Sequence, residues 1–220
     1  MQTIASDNSL QPGIFVTFEG PDGAGKSSQQ ALLTERIRQL GREVVATREP
    51  GGTELGEGIR GVLLEASEAH DPIVDALLFN AARRALVDQV IRPALARGAV
   101  VVCDRFADST LAYQGYGAGV PVETLRSLAE VATQGLRPTR TVLLDISVEA
   151  GLTRRRGGPA DELTRFETST EHDGAFHQRV RAGYLALAAV EPDRWRVVDG
   201  SGAADEVADR VWAAVGDLFG

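Results

Sequence analysis

The sequence predicts an α/β fold in three layers, a five-stranded parallel sheet flanked by helices, and three observations predict it. Short apolar runs alternate with longer amphipathic ones along the chain, the pattern of βαβ units whose parallel strands are covered on both faces. A glycine-rich segment separates the first apolar run from the first amphipathic one. The 220 residues, 43% hydrophobic and 25% charged, suffice for one sizeable core.

Residues 14–18, Ile-Phe-Val-Thr-Phe, read as a buried strand. A helix over 25–40 follows, with Leu33, Ile37 and Leu40 on one face and Gly41 as its stop. Residues 43–47 form the second strand and 53–65 a helix. Over 72–97 a long helical segment repeats Ile73, Leu77, Ala81 and Ala85 at intervals of four, and Pro93 should break or bend its last turn. Residues 99–103, Ala-Val-Val-Val-Cys, make the third strand. Helices are expected over 108–116 and 122–133, strands over 141–145 and 195–198, and a last helix over 204–218 with Val207, Val211, Val215 and Leu218 on one stripe. Residues 1–12 read as a loose tail and 13–220 as a single domain. The one compositional break, 154–174, is polar, charged and rich in Gly, Thr and Glu. It reads as a mobile insertion interrupting two helices.

Charge excludes some functions. Lysine and arginine total 23 against 31 acidic residues, a net charge of −8, and this argues against a nucleic-acid polymer as partner. No stretch approaches the ~18 apolar residues of a membrane span, and no basic region followed by an apolar run opens the chain. A lone cysteine, Cys103, cannot form an intramolecular disulfide, so a cytoplasmic location is expected. His70, His172 and His177 show no metal-ligand spacing and read as surface residues.

Gly20-Pro21-Asp22-Gly23-Ala24-Gly25-Lys26-Ser27 fits G-x-x-x-x-G-K-[ST] at every fixed position, between a strand and a helix. Its glycines let backbone N–H groups curl around a phosphate, and the helix N-terminus adds partial positive charge. Lys26 should reach the β- and γ-phosphates and Ser27 should ligate Mg2+. Lys26 is also the only lysine beside 22 arginines, which fits a position needing a compact ammonium. A guanine-reading Asn-Lys-x-Asp motif therefore cannot exist here, and ATP is the expected donor.

A second constellation follows the third strand. Asp104 there can hold Mg2+, and Arg105 can fork onto a phosphate. Thr47-Arg48-Glu49-Pro50-Gly51-Gly52-Thr53 lies at the same sheet edge and supplies another fork in Arg48. Phe79 and Arg83, one helical turn apart, share a face that could stack on and bond to a planar base.

The P-loop, the Thr47–Thr53 segment, Leu78-Phe79-Asn80-Ala81-Ala82-Arg83 and Asp104-Arg105-Phe-x-x-Ser109-x-x-Ala-Tyr113-Gln114-Gly115 together resemble the bacterial thymidylate kinases, from about residue 14 to the C-terminus. The resemblance implies transfer of the γ-phosphoryl of ATP to dTMP, giving dTDP and ADP. It places Phe79 on thymine, Arg83, Thr110 and Gln114 around the base, and Arg48 and Arg105 on the dTMP phosphate. Asp22 would lie near the sugar 3′-hydroxyl, with Tyr113 over the deoxyribose and Pro50, Ser109 and Glu167 completing the substrate set. It further implies a homodimer and adenine against 199–202. The loop has Gly23 after Asp22 and no arginine, so a lid at about 154–174 should supply one of Arg154, Arg155 and Arg156 to the transferring phosphoryl. Such an arginine is worth on the order of 10³ or more in rate. Where the family lid carries Asp-Arg-[Phe/Ile]-Glu, this chain has Thr164-Arg165-Phe166-Glu167. Two alternatives stay open: another nucleoside monophosphate kinase, and a non-catalytic ATP-binding protein.

Overall fold

The computed structural model describes residues 12–65, 70–156 and 174–220. Five parallel strands, β1 (Ile14–Glu19), β2 (Val44–Arg48), β3 (Val100–Asp104), β4 (Arg140–Asp145) and β5 (Trp195–Asp199), lie in the order β2-β3-β1-β4-β5. The predicted three-layer architecture is present, with each strand within about two residues of its expected limits. Central β1 and β3 are buried along their whole length, whereas edge strands β2 and β5 are partly exposed, as a sheet covered on both faces requires.

Side chains alternate across the sheet. Ile14, Val16 and Phe18 pack on one face with Leu33 and Ile37 of α1 (Lys26–Gln39) and with Val207, Val211 and Val215 of the C-terminal helix Ala204–Val215. Phe15, Val101 and Cys103 face the other side, against Leu86, Val87 and Ile91. Of the stripe expected on α1, Leu40 is exposed, because the helix ends one residue earlier and Gly41, at φ 77°, turns the chain away.

Helix α2 spans Glu54–Glu65 and α3 spans Pro72–Leu86. Pro93 does not break the helical path. A π turn, Val87–Ile91, leads into α4 (Arg92–Ala96), and the Arg92 N–H bonds the Val87 carbonyl. The wider turn takes up the missing N–H and the crowding of the ring against the preceding turn. The four-residue repeat on α3 also misidentifies the inner face. Leu77 is 50% exposed, and the buried side carries Ala76, Asn80 and Arg83. Ala76 on that side packs into an apolar cluster with Leu111 and Leu125, while Asn80 and Arg83 are buried polar groups.

The helix expected over 108–116 is α5 (Ala107–Thr110) continuing as a π turn, Leu111–Gly117. Then come α6 (Val122–Thr133), as predicted, α7 (Val148–Arg156), α8 (Gly174–Val190) and α9 (Ala204–Val215). The π turn packs closely on α8: a Cβ on Gly183 would stand 2.5 Å from the Tyr116 ring. Most of the expected lid and tail, and His172, lie outside the described residues. No helix among the described residues is long and apolar enough to cross a membrane.

The connection leaving β1 runs to β2, and the one leaving β3 runs to β4 on the opposite side. Diverging connections open a crevice beyond the carboxyl ends of β1 and β3. Register sets Phe18 and Arg48 on either side of Asp104, so β1, β2 and β3 end level at its rim.

Candidate active site

The donor side of the crevice is made mostly of backbone. After β1 the chain passes Gly20 (φ 140°), Gly23 (φ 75°) and Gly25 (φ 89°), conformations that favour glycine. A Cβ at Gly20 would stand 2.5 Å from the Leu144 carbonyl oxygen, and one at Gly23 would run into the carbonyl of Gly151 on α7. Gly25 caps α1, whose free N–H groups face the loop.

Lys26 is buried, its Nζ donating to the carbonyls of Gly20 (3.1 Å) and Pro21 (2.9 Å). Burial and nearby Arg105 push its pKa down to about 8, against the pull of Asp22, Asp104 and Glu19. A bound phosphate would supply the negative charge this ammonium lacks.

Ser27 Oγ donates to Asp104 Oδ2 at 2.6 Å, while Asp104 Oδ1 is buried with no hydrogen-bond partner. A hydroxyl and a carboxylate with an unused oxygen fit Mg2+, which takes few protein ligands and relies on phosphates and water. Among the described residues no group of three or more His, Cys, Asp and Glu could hold a metal unaided.

The acceptor side is made of side chains converging on Arg105, itself at φ 68°. Its Nη2 donates to Asp22 Oδ1 (2.5 Å) and the Tyr113 hydroxyl (3.2 Å). Its Nη1 donates to Ser109 Oγ (3.1 Å) and the Tyr184 hydroxyl (3.2 Å). Tyr113 also donates to Asp22 Oδ2 at 2.9 Å. Burial raises the Asp22 pKa, but Arg105, Lys26, the Tyr113 hydroxyl and His177 outweigh it and hold the carboxyl at about 2.

Beyond this hub, Phe79 is half-buried on α3, with Arg83 one turn on. Arg83 is 1% exposed and firmly held. Its Nη2 donates to Glu49 Oε2 at 2.7 Å and Thr110 Oγ1 at 3.1 Å, and its Nη1 to Asn80 Oδ1 at 2.9 Å. Gln114 is buried close by in sequence, on the π turn after α5.

The structure thus joins Lys26, Ser27 and Asp104 on one side, and Asp22, Arg105, Ser109 and Tyr113 on the other. Arg48 stands apart: it is half-exposed and paired with Glu57 at 3.0 Å. Pro50 follows a cis peptide bond, and its carbonyl accepts from Arg60 at 3.1 Å. Arg154 Nη1 donates to the Gly200 carbonyl at 3.0 Å, in the loop expected to meet adenine. The side chains of Arg155 and Arg156, and all of Glu167, lie outside the described residues.

Four residues went unrecognised. Glu19 ends an otherwise apolar strand, and a carboxylate there was a visible signal. Glu49 lay within the Thr47–Thr53 segment, whereas Tyr184 and His177 had no signal, since their site neighbours come from distant parts of the chain. His177 corrects the surface reading: it is buried at the start of α8, ring against Phe176, because this end of the helix faces the crevice near Asp22.

A family model for thymidylate kinase matches residues 18–211. A thymidylate kinase of Thermomicrobium roseum is 53% identical over 205 residues, covering 93% of this chain and 95% of its own. One from Deinococcus radiodurans is 47% identical over 210 residues, covering 94% and 98%. The crystal structure of thymidylate kinase from Ehrlichia chaffeensis matches with a TM-score of 0.74 at 32% identity, over 93% of this chain and 99% of that one.

Proposed function

The chain belongs to the thymidylate kinase family, and on that premise we propose how its residues carry out the family's reaction. It is an ATP-dependent phosphotransferase that moves the γ-phosphoryl of ATP to dTMP, giving dTDP and ADP. The observation that carries the residue-level reading is the placement of two anion holders, the Lys26 loop and the Arg105 hub, on either side of Asp22 at one rim of the sheet.

Phosphoryl transfer depends on positioning and charge neutralisation more than on covalent chemistry. The dTMP phosphate oxygen is anionic at neutral pH and attacks in line without a strong base. Loop N–H groups and Lys26 hold the β- and γ-phosphates. Arg105 holds the acceptor phosphate, aided by Ser109 and by Arg48 once it leaves Glu57. Asp22 and Tyr113 meet the sugar, Phe79 stacks on thymine, and Thr110, Gln114 and the Arg83 edge line the base. One of Arg154, Arg155 and Arg156 stabilises the transferring phosphoryl, and Pro50 and Glu167 complete the acceptor pocket. Mg2+, held through Ser27 and Asp104, would neutralise phosphate charge when bound.

Coupled ADP release measured with dTMP, dUMP, dCMP, dGMP and UMP tests the assignment. Turnover should be highest with dTMP. Preference for another base would make this a different monophosphate kinase, and no turnover above the ATPase background would leave only a binding protein.

We also propose a cytoplasmic homodimer. Leu55 and Val62 on α2, Val74 and Leu77 on α3, and Val131 on α6 are exposed, and α3 packs against both α2 and α6. An apolar face of that kind on three adjoining helices is suited to a second copy of the chain. Leu77→Glu should shift sedimentation from dimer to monomer, and a wild type that sediments as a monomer refutes it.

A further inference from the structure

We propose that Glu19 is a positioning residue for Arg105, acting through the two hydroxyls of Ser109 and Tyr184 that stand between its carboxylate and the guanidinium. The proposal rests on the reading of Arg105 as the holder of the acceptor phosphate.

Glu19 is wholly buried at the end of β1. Its Oε1 accepts from the Phe106 N–H at 2.8 Å. Its Oε2 accepts from Ser109 Oγ at 2.6 Å and from the Tyr184 hydroxyl at 2.9 Å. A carboxylate has no proton to give, and each hydroxyl has only one. Both hydroxyls spend that proton on Glu19 and turn their lone pairs outward. Those lone pairs face Arg105 Nη1 at 3.1 and 3.2 Å. The carboxylate thereby fixes the direction of both bonds from Arg105, and the two hydroxyls stand 2.9 Å from each other. The other carboxylate oxygen pins Phe106, the residue after Arg105, and Arg105 itself sits in the left-handed region at φ 68°.

A buried carboxylate is costly, and an apolar residue would serve the sheet better. Its placement makes sense when three elements must be held to one arginine: β1, the turn after β3, and α8 through Tyr184. Because Tyr184 follows residues 157–173 in the chain, the relay also ties the acceptor arginine to the helix beyond the arginine cluster.

The test uses Glu19→Gln and Tyr184→Phe in the full-length enzyme, with KM for dTMP, KM for ATP, kcat and the melting temperature measured together. An amide presents one acceptor and two donors, so Glu19→Gln reverses part of the relay, whereas Tyr184→Phe removes one limb. Each should raise KM for dTMP by about tenfold or more and leave KM for ATP within about twofold. The double variant should fall short of the product of the two, since both act on one network. An unchanged KM for dTMP in Tyr184→Phe, or equal rises for both substrates, overturns the proposal even if Glu19→Gln does not fold. A wild type without dTMP-dependent turnover overturns the acceptor-site reading and the relay with it. A normal wild type beside unaffected variants overturns the relay alone.

Discussion

The two sides of the crevice are built in opposite ways. The donor side is eight consecutive residues whose chemistry is mostly backbone: three positive-φ glycines, a helix start and one ammonium resting on carbonyls. On the acceptor side, one arginine is held by Ser109, Tyr113 and Tyr184, and by Asp22 reaching across from the loop itself, with Tyr184 79 residues away. Backbone recognition is local, and a short motif can encode it whole. Side-chain recognition of this sort exists only after β1, β3 and α8 have met.

Removing one cation from each side should separate these roles and produce the largest effects. Lys26→Ala should lower kcat by about 10²–10³, the usual loss when a charge-stabilising donor is deleted, with little change in KM for dTMP. Arg105→Ala should lower kcat/KM for dTMP by a similar factor, mainly through KM. Circular dichroism should show both variants folded. Wild-type-like rates in either would remove its assigned role, and identical kinetic signatures would erase the distinction between the sides.

Two arginines of the acceptor half sharpen the contrast between buried and exposed charge. Arg83 and Glu49 are paired in the interior, whereas Arg48 and Glu57 are paired near the surface. Arg83→Ala leaves the Glu49 carboxylate buried without its partner and should cost about 3–5 kcal/mol of stability. Replacing both Arg83 and Glu49 by apolar residues of similar volume should recover much of that. Arg48→Ala should cost roughly 0–1 kcal/mol while raising KM for dTMP. Denaturant titration with parallel kinetics reads both. Equal stability losses would mean that Glu49 is solvated in solution.

The same division explains what could be read from the chain alone. The strands, the phosphate loop and Val122–Thr133 follow local rules and were legible. The loop also lacks an arginine at position 23 for a physical reason, because any Cβ there would meet Gly151. The π turns were not legible, because they answer to packing on α8 and to Pro93 in the context of a continuing helix. Arg83 was legible as a candidate through its spacing from Phe79, but not its clamp on Glu49, 34 residues away. Tyr184 and His177 became site residues only through tertiary contact.

The pH dependence contributed by Glu19 is gradual, not all-or-none, and it connects stability to the acceptor side. Burial, then the nearby Asp108 carboxylate, push its pKa up to about 7 from an ordinary 4.5, and Arg105, the Ser109 hydroxyl and the Phe106 N–H only partly oppose this. A folded state that holds a proton more tightly than the unfolded chain is most favoured below the unfolded pKa. That advantage is lost as pH rises from about 4.5 through about 7. At 1.36 kcal/mol per unit the loss is on the order of 3 kcal/mol or less. Wild type measured against Glu19→Gln from pH 4.5 to 8 should therefore lose relative stability and level off above about 7, and a flat difference would show that Glu19 keeps an ordinary pKa. The relay needs the ionised carboxylate, so the pH range in which Arg105 is best positioned is also the range in which Glu19 stabilises the fold least. The Lys26 loop carries a like opposition, since burial and Arg105 hold the pKa of its ammonium down to about 8, and there a bound phosphate relieves it by satisfying the ammonium and the N–H groups together.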